Sequence, residues 1–105
     1  MFTEPSSLLS AGFRDPRLGE LLSDAAYVRG MLAFEVALAK VEALFGIVPA
    51  QAALAIERAA GSLAVDDSAA LRAGMERDGV PTLALVSALR QAAGDAGSYV
   101  HWGAT

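Results

Sequence analysis

Apolar residues recur through the middle of the chain at helical spacing. Tyr27, Met31, Phe34, Leu38, Val41 and Phe45 follow one another at alternating steps of four and three, which places them on one stripe of an α-helix. Val28, Leu32, Val36 and Ala39 widen that stripe toward a second face, so this helix is expected to be contacted from two sides. Ser23 or Asp24 can cap its start, because a short side-chain oxygen there accepts an otherwise unpaired backbone N–H. Gly46 supplies a left-handed residue to end it, and Pro49 prevents its resumption. The pattern predicts a helix over residues 24–45, about 33 Å long at roughly 1.5 Å per residue.

Three shorter helices follow. Pro49 suits the first turn of one that runs to about Ala60 and stops at Gly61, with Leu54 and Ile56 as its main apolar residues. Asp66, Asp67 or Ser68 can cap the next, which carries Leu71 and Met75 and ends near Gly79. Pro81 opens the last, with Leu85 and Leu89 at i, i+4, Val86 beside them, and a stop at Gly94. Residues 1–22 read differently. Pro5, Gly12, Pro16 and Gly19 punctuate them, while Leu8, Leu9, Phe13, Leu18, Leu21 and Leu22 supply apolar anchors, so this lead-in is expected to lie across other helices. No repeat and no low-complexity tract interrupts the order. The fold class predicted is all-α, in a single domain.

Composition sharpens this picture. With 105 residues the chain suffices for one small domain. Yet 54% of its residues are hydrophobic and mean hydropathy is +0.42, more apolar surface than a chain of this size covers alone. The excess predicts a partner: a second copy, or the remainder of a larger protein. Net charge is −4 with no Lys/Arg-rich face, which argues against nucleic acid as a partner. The chain has no cysteine, so disulfides, thiol catalysis and zinc–thiolate sites are excluded and a reducing cytoplasm fits. The N-terminus lacks the pattern of a signal peptide. Arg29, Glu35, Lys40 and Glu42 break the longest apolar stretch, so no membrane-spanning helix is expected.

Candidate chemistry concentrates at the end of the sequence. Ser98 to Thr105 contains a tyrosine, the sole histidine (His101) and the sole tryptophan (Trp102). One histidine excludes a multi-histidine metal site within one chain; by itself it reads as structural or exposed, with its near-neutral titration the argument for function. Trp102 reads first as a packing residue. Gly103, Ala104 and Thr105 can form a small-residue turn offering N–H groups and a hydroxyl to an anion. Arg29 reads as a surface arginine with an apolar stem, or as a carboxylate ligand facing a cleft. Glu35 and Glu42 lie one heptad apart, about 10 Å along the axis, too far to cooperate directly; they read as solvated or inter-helix charges. Asp66 and Asp67 read as a cap, and no phosphate-loop pattern includes Gly74 or Gly79.

Taken in order, these segments resemble the fumarase/aspartase superfamily. Tyr99-Val100-His101-Trp102-Gly103-Ala104-Thr105 is similar to that superfamily's first signature region, His-aromatic-Gly-x-Thr-Ser-x-Asp. Met31-Leu32-Ala33-Phe34-Glu35-Val36-Ala37-Leu38-Ala39-Lys40-Val41-Glu42 resembles its early helix, Gly46-Ile47-Val48-Pro49 its Gly-Ile-Ile/Val-Pro turn, and Gly79-Val80-Pro81 through Leu89 a segment that ends Pro-Leu-Val-x-Ala-Leu. Tryptophan after the histidine looks more like the carboxymuconate cycloisomerase branch than the adenylosuccinate lyase branch.

The resemblance implies an N-terminal helical domain leading into a long-helix bundle, in a homotetramer whose active sites combine residues of three subunits. It implies a cofactor-free cycloisomerase of the protocatechuate branch of the β-ketoadipate pathway, acting on a small tricarboxylate. It also implies substrate-binding roles: His101 orienting the substrate, Trp102 lining the pocket, and Thr105 donating a hydroxyl or N–H to a carboxylate. The superfamily's acid/base groups lie in later motifs, a Thr-His pair and a mobile Ser-Ser-x-Met-Pro-x-Lys loop, which do not occur in these 105 residues. The chain is therefore expected to be an N-terminal piece cut within the first signature region, with no catalytic group of its own and no activity alone. Two other readings stand beside this one: a piece of an adenylosuccinate lyase-type C–N lyase, and a non-enzymatic helical module that oligomerises through the Tyr27–Phe45 face.

Overall fold

The computed structural model describes residues 7–63 and 68–104, which form helices and no strand. Short helix α1 (Ser7–Ser10) runs into a 3-10 turn (Ala11–Phe13) and then α2 (Pro16–Leu21). Asp15 caps α2, accepting from the Arg17 and Leu18 backbone N–H groups at 2.9 and 3.2 Å, with Pro16 in the first turn where no N–H is needed. Helix α3 (Asp24–Leu44) starts on the Ser23 hydroxyl, which accepts the Ala26 N–H at 3.1 Å. It ends in a Schellman motif: Gly46, at φ 71°, donates to the Ala43 carbonyl at 3.1 Å and Ile47 donates to the Glu42 carbonyl at 2.8 Å. Helices α4 (Ala50–Ser62), α5 (Ser68–Asp78) and α6 (Thr82–Ala93) follow, then a 3-10 turn (Gly94–Tyr99). The expected caps Asp66 and Asp67 lie outside the described residues.

Helix α4 is the centre of the packing. It lies against α3, α6 and the 3-10 turn, while α5 rests on α6. Ile56 of α4, Leu89 of α6 and Val100 after the turn are fully buried and meet in one cluster. Burying an apolar side chain of this size stabilises by about 1.5–3 kcal/mol. Ala52, Ala53 and Ala59 complete the inner face of α4.

That face decides which side of α3 is covered. The buried residues of α3 are Val28, Leu32, Glu35, Ala39 and Glu42. The stripe that carries the aromatics lies on another side of the helix and is left open: Tyr27, Phe34 and Phe45 are 61%, 56% and 77% exposed. Both faces of α3 are apolar, and the short alanine side chains of α4 allow an approach that aromatic rings would hold open. The branched and small residues are therefore the ones buried. Leu54, expected to be a main apolar residue of the second helix, is half-exposed, whereas Ile56 is buried as expected.

The lead-in also departs from expectation. Instead of lying across other helices, α2 buries none of its residues, and Phe13 and Leu22 are strongly exposed. The molecule is correspondingly long, 53 × 28 × 23 Å, with a radius of gyration of 16.4 Å against about 13 Å for a compact chain of this length. No helix among the described residues is long and apolar enough to cross a membrane.

Candidate functional site

The end of α6 is shaped to present His101. Gly94, at φ 60°, terminates the helix, and the chain turns back through the 3-10 segment. Gly97 lies so close to α6 that a Cβ there would sit 2.4 Å from the Arg90 carbonyl oxygen. This close approach lets Val100 plug the core. The Arg90 guanidinium donates to the Val100 carbonyl at 3.2 Å and fastens the segment from the other side. His101 follows immediately, in the left-handed region at φ 61°. For a non-glycine residue that conformation costs on the order of 1–3 kcal/mol and persists only where surrounding contacts impose it. Beyond it, the Ala104 N–H donates to the His101 carbonyl at 3.2 Å, and Gly103 takes the positive φ (70°) that such a turn requires at its third position.

The contact imposed on His101 is with Glu35. Nδ1 of the ring stands 2.6 Å from Glu35 Oε1, with the two side chains 13% and 3% exposed. The pair joins residues 66 apart in sequence, ties the last turn to the middle of α3, and fixes the ring at one wall of an open cleft of about 440 Å³. Tyr27, Met31 and Phe34 of α3 line the cleft, with Thr82 from the start of α6. No arginine or lysine lines it among the described residues. Arg29, a candidate carboxylate ligand, lies along a different groove with Lys40 and Glu57, which form an exposed ion pair at 2.8 Å.

Trp102 is half-exposed and does not line the cleft; its ring meets Tyr99 at 6.3 Å between centroids, tilted by 53°, within the range of favourable aromatic pairs. Thr105 lies outside the described residues. No cluster of three or more side chains suited to hold a metal occurs among the described residues. Two buried carboxylate oxygens, Glu35 Oε2 and Glu42 Oε1, have no hydrogen-bond partner.

No family model matches the chain. It is 39% identical to the 3-carboxy-cis,cis-muconate cycloisomerase of Acinetobacter baylyi and 43% identical to that of Pseudomonas aeruginosa, in each case over 95% of its own length. Its backbone matches the crystal structure of a fumarate lyase from Mesorhizobium sp. BNC1 with a TM-score of 0.83, at 42% identity over 89% of the chain. These matches are consistent with the fumarase/aspartase superfamily. It spans 23% and 22% of the two curated relatives and 22% of the solved chain, about a quarter of their length or less.

His101 is the candidate that the signature motif pointed to, and the structure brings it to a cleft. Glu35 and Thr82 line the same cleft and are not among the residues the sequence motif marks. Glu35, read from sequence as a solvated or inter-helix charge, is 4% exposed. A signal for it was present: residues 28, 32, 35, 39 and 42 form their own 4-3-4-3 stripe, and a carboxylate in register within such a stripe is buried with it. Thr82 carried no such mark.

Proposed function

We propose that this chain is part of a 3-carboxy-cis,cis-muconate cycloisomerase, in which a substrate carboxylate adds across a carbon–carbon double bond to give 4-carboxymuconolactone. The observation that carries the reading is His101, the signature histidine, locked by buried Glu35 at the wall of a cleft, in a chain about 40% identical to cycloisomerases. The cycloisomerase names of these relatives favour this branch over an adenylosuccinate lyase-type enzyme, and likeness to an enzyme superfamily weighs against a simple oligomerisation module.

In this reading His101 orients the substrate through its cleft-facing edge. Thr82 can add a hydroxyl to the same wall, Trp102 lines the site as the assembled enzyme closes it, and Thr105 contributes a hydroxyl or N–H to a carboxylate. Negative charge develops on the enolate-like carbon skeleton as the lactone closes, and a proton must reach carbon. The cleft has no cation among the described residues, so the guanidinium or ammonium groups that hold three carboxylates come from other segments. The proton-transfer groups come from outside these 105 residues as well. A homotetramer in the cytoplasm, needing no cofactor, is the corresponding assembly.

The test is to supply 3-carboxy-cis,cis-muconate to the full-length protein that carries this segment and to follow the lactone by NMR. Stoichiometric 4-carboxymuconolactone is expected. Turnover of a succinylated amine in its place would move the protein to the lyase branch. The 105-residue chain alone is expected to give no lactone.

A further inference from the structure

We propose that Glu35 is the positioning residue for His101: its Oε1 accepts the Nδ1–H, fixing the neutral ring with its proton on Nδ1 and leaving Nε2 as an acceptor facing the cleft. This rests on the reading of His101 as the residue that orients the substrate, and it adds which nitrogen does so and what sets it.

The Nδ1···Oε1 contact is short, 2.6 Å; with Glu35 as a carboxylate, which can only accept, Nδ1 is the donor of a charge-assisted hydrogen bond. Glu35 cannot swing away: its side chain is 3% exposed, on a helix whose neighbouring stripe residues Leu32 and Ala39 are buried in the core. His101 is held from its backbone side by fully buried Val100 and its left-handed φ. The second ring nitrogen is opposite Nδ1. It has no hydrogen-bond partner among the described residues, yet it is not among the buried unpaired atoms, which are Glu35 Oε2 and Glu42 Oε1; it is therefore accessible. The ring forms part of the cleft wall with Tyr27, Phe34 and Thr82. In other histidine sites the hydrogen bond at one nitrogen sets the role of the other, and the same rule operates here.

Two consequences separate this from a merely structural ion pair. A neutral ring fixed in this way accepts from a donor, such as the acid proton or hydroxyl of a ligand, and a protonated ring becomes a cation with Nε2–H aimed at a carboxylate. An unheld ring would place its neutral proton mostly on Nε2, the ordinary preference of the histidine side chain in water, and present a donor at neutral charge.

His101 is the sole histidine of the chain, so a long-range ¹H–¹⁵N correlation spectrum of the 105-residue protein reports this one ring. In a pH series carried to the neutral ring, the expected pattern is a pyrrole-type Nδ1 and a pyridine-type Nε2. Glu35→Gln retains a carbonyl acceptor and is expected to keep that tautomer, and Glu35→Met is expected to return the ring to a majority of Nε2–H. A wild-type ring protonated on Nε2, or a Glu35→Met spectrum unchanged from wild type, overturns the proposal. If Glu35→Met fails to fold, the wild-type and Glu35→Gln spectra still decide it. In the full-length enzyme, Glu35→Met is expected to lower kcat/KM for the muconate at least tenfold, with substantial rescue by Glu35→Gln. These readouts fail independently. Absence of lactone formation by the wild-type enzyme refutes the cycloisomerase reading and leaves the ring tautomer standing, whereas the wrong tautomer refutes only the role of Glu35.

Discussion

Gly97→Ala tests the link between the core and the site. The new Cβ would meet the Arg90 carbonyl oxygen at 2.4 Å, its carbonyl carbon at 3.1 Å and its Cα at 3.3 Å. All three are backbone atoms of α6, so no side chain can rotate aside. The shortest contact must open to at least 3.0 Å, below which real Cβ contacts essentially never fall, and the movement must be absorbed where fully buried Val100 plugs the core. Overpacking of this kind costs about 1–3 kcal/mol. For a chain of this size each kcal/mol lowers Tm by roughly 4–8 °C, so a loss on the order of 5–20 °C is expected by thermal circular dichroism. Gly30→Ala is the control. Gly30 is a mid-helix glycine of α3 with nothing within 4 Å of its would-be Cβ, and the substitution is expected to stabilise by about 0.5–1 kcal/mol through helix propensity. A Gly97→Ala protein that melts with wild type would show that α6 and the 3-10 turn are not in this close contact, and the account of how His101 is placed would fail with it.

Other substitutions probe the remaining contacts. Ile56→Ala, at the centre of α4 and fully buried, is expected to cost about 2–5 kcal/mol in urea unfolding; a cost below 1 kcal/mol would contradict α4 as the hub of the core. Glu42 is 7% exposed with Oε1 unpartnered, and a buried unpaired acceptor costs about 1–3 kcal/mol, so Glu42→Met is expected to stabilise the chain, and a marked loss would reveal a partner for that carboxylate. The Arg77 guanidinium, hydrogen-bonded at 2.9 Å, holds the Asp78 carboxyl below its ordinary value. The contribution of that pair is present above the ordinary carboxylate value and fades as pH falls through the lowered one; Asp78→Asn should therefore unfold slightly earlier than wild type at neutral pH and together with it in strong acid. Equal midpoints at neutral pH would remove the pair from the account.

The helices were legible because their ends are written in local chemistry. Ser23 and Gly46 bracket α3 within a residue of the expected bounds, Pro49 marks the start of α4, and Pro81 and Gly94 bracket α6, whereas α4 runs through its expected stop at Gly61 to Ser62. The burial pattern was not. An apolar stripe of aromatics and a second stripe of smaller residues look equally buriable in one dimension, and only the alanine face of α4 selects between them. The lead-in misled for a related reason: its leucines and Phe13 signal a need for cover without saying which surface gives it. In the site, His101 was found through its signature, a motif readable without coordinates. Its partner lies 66 residues away, a separation no local pattern spans. Glu35 became visible only as a carboxylate in register with Val28, Leu32 and Ala39.

The most direct test of the central reading is a chimera in which this 105-residue segment replaces the matching part of the Acinetobacter baylyi cycloisomerase, with which it shares 39% identity. The measurement is lactone formation from 3-carboxy-cis,cis-muconate by the assembled chimera, with His101 intact or replaced by asparagine. The account predicts that the chimera forms 4-carboxymuconolactone and that His101→Asn lowers kcat/KM at least a hundredfold without loss of assembly. A folded, assembled chimera that forms no lactone, or one that is indifferent to His101→Asn, would contradict it.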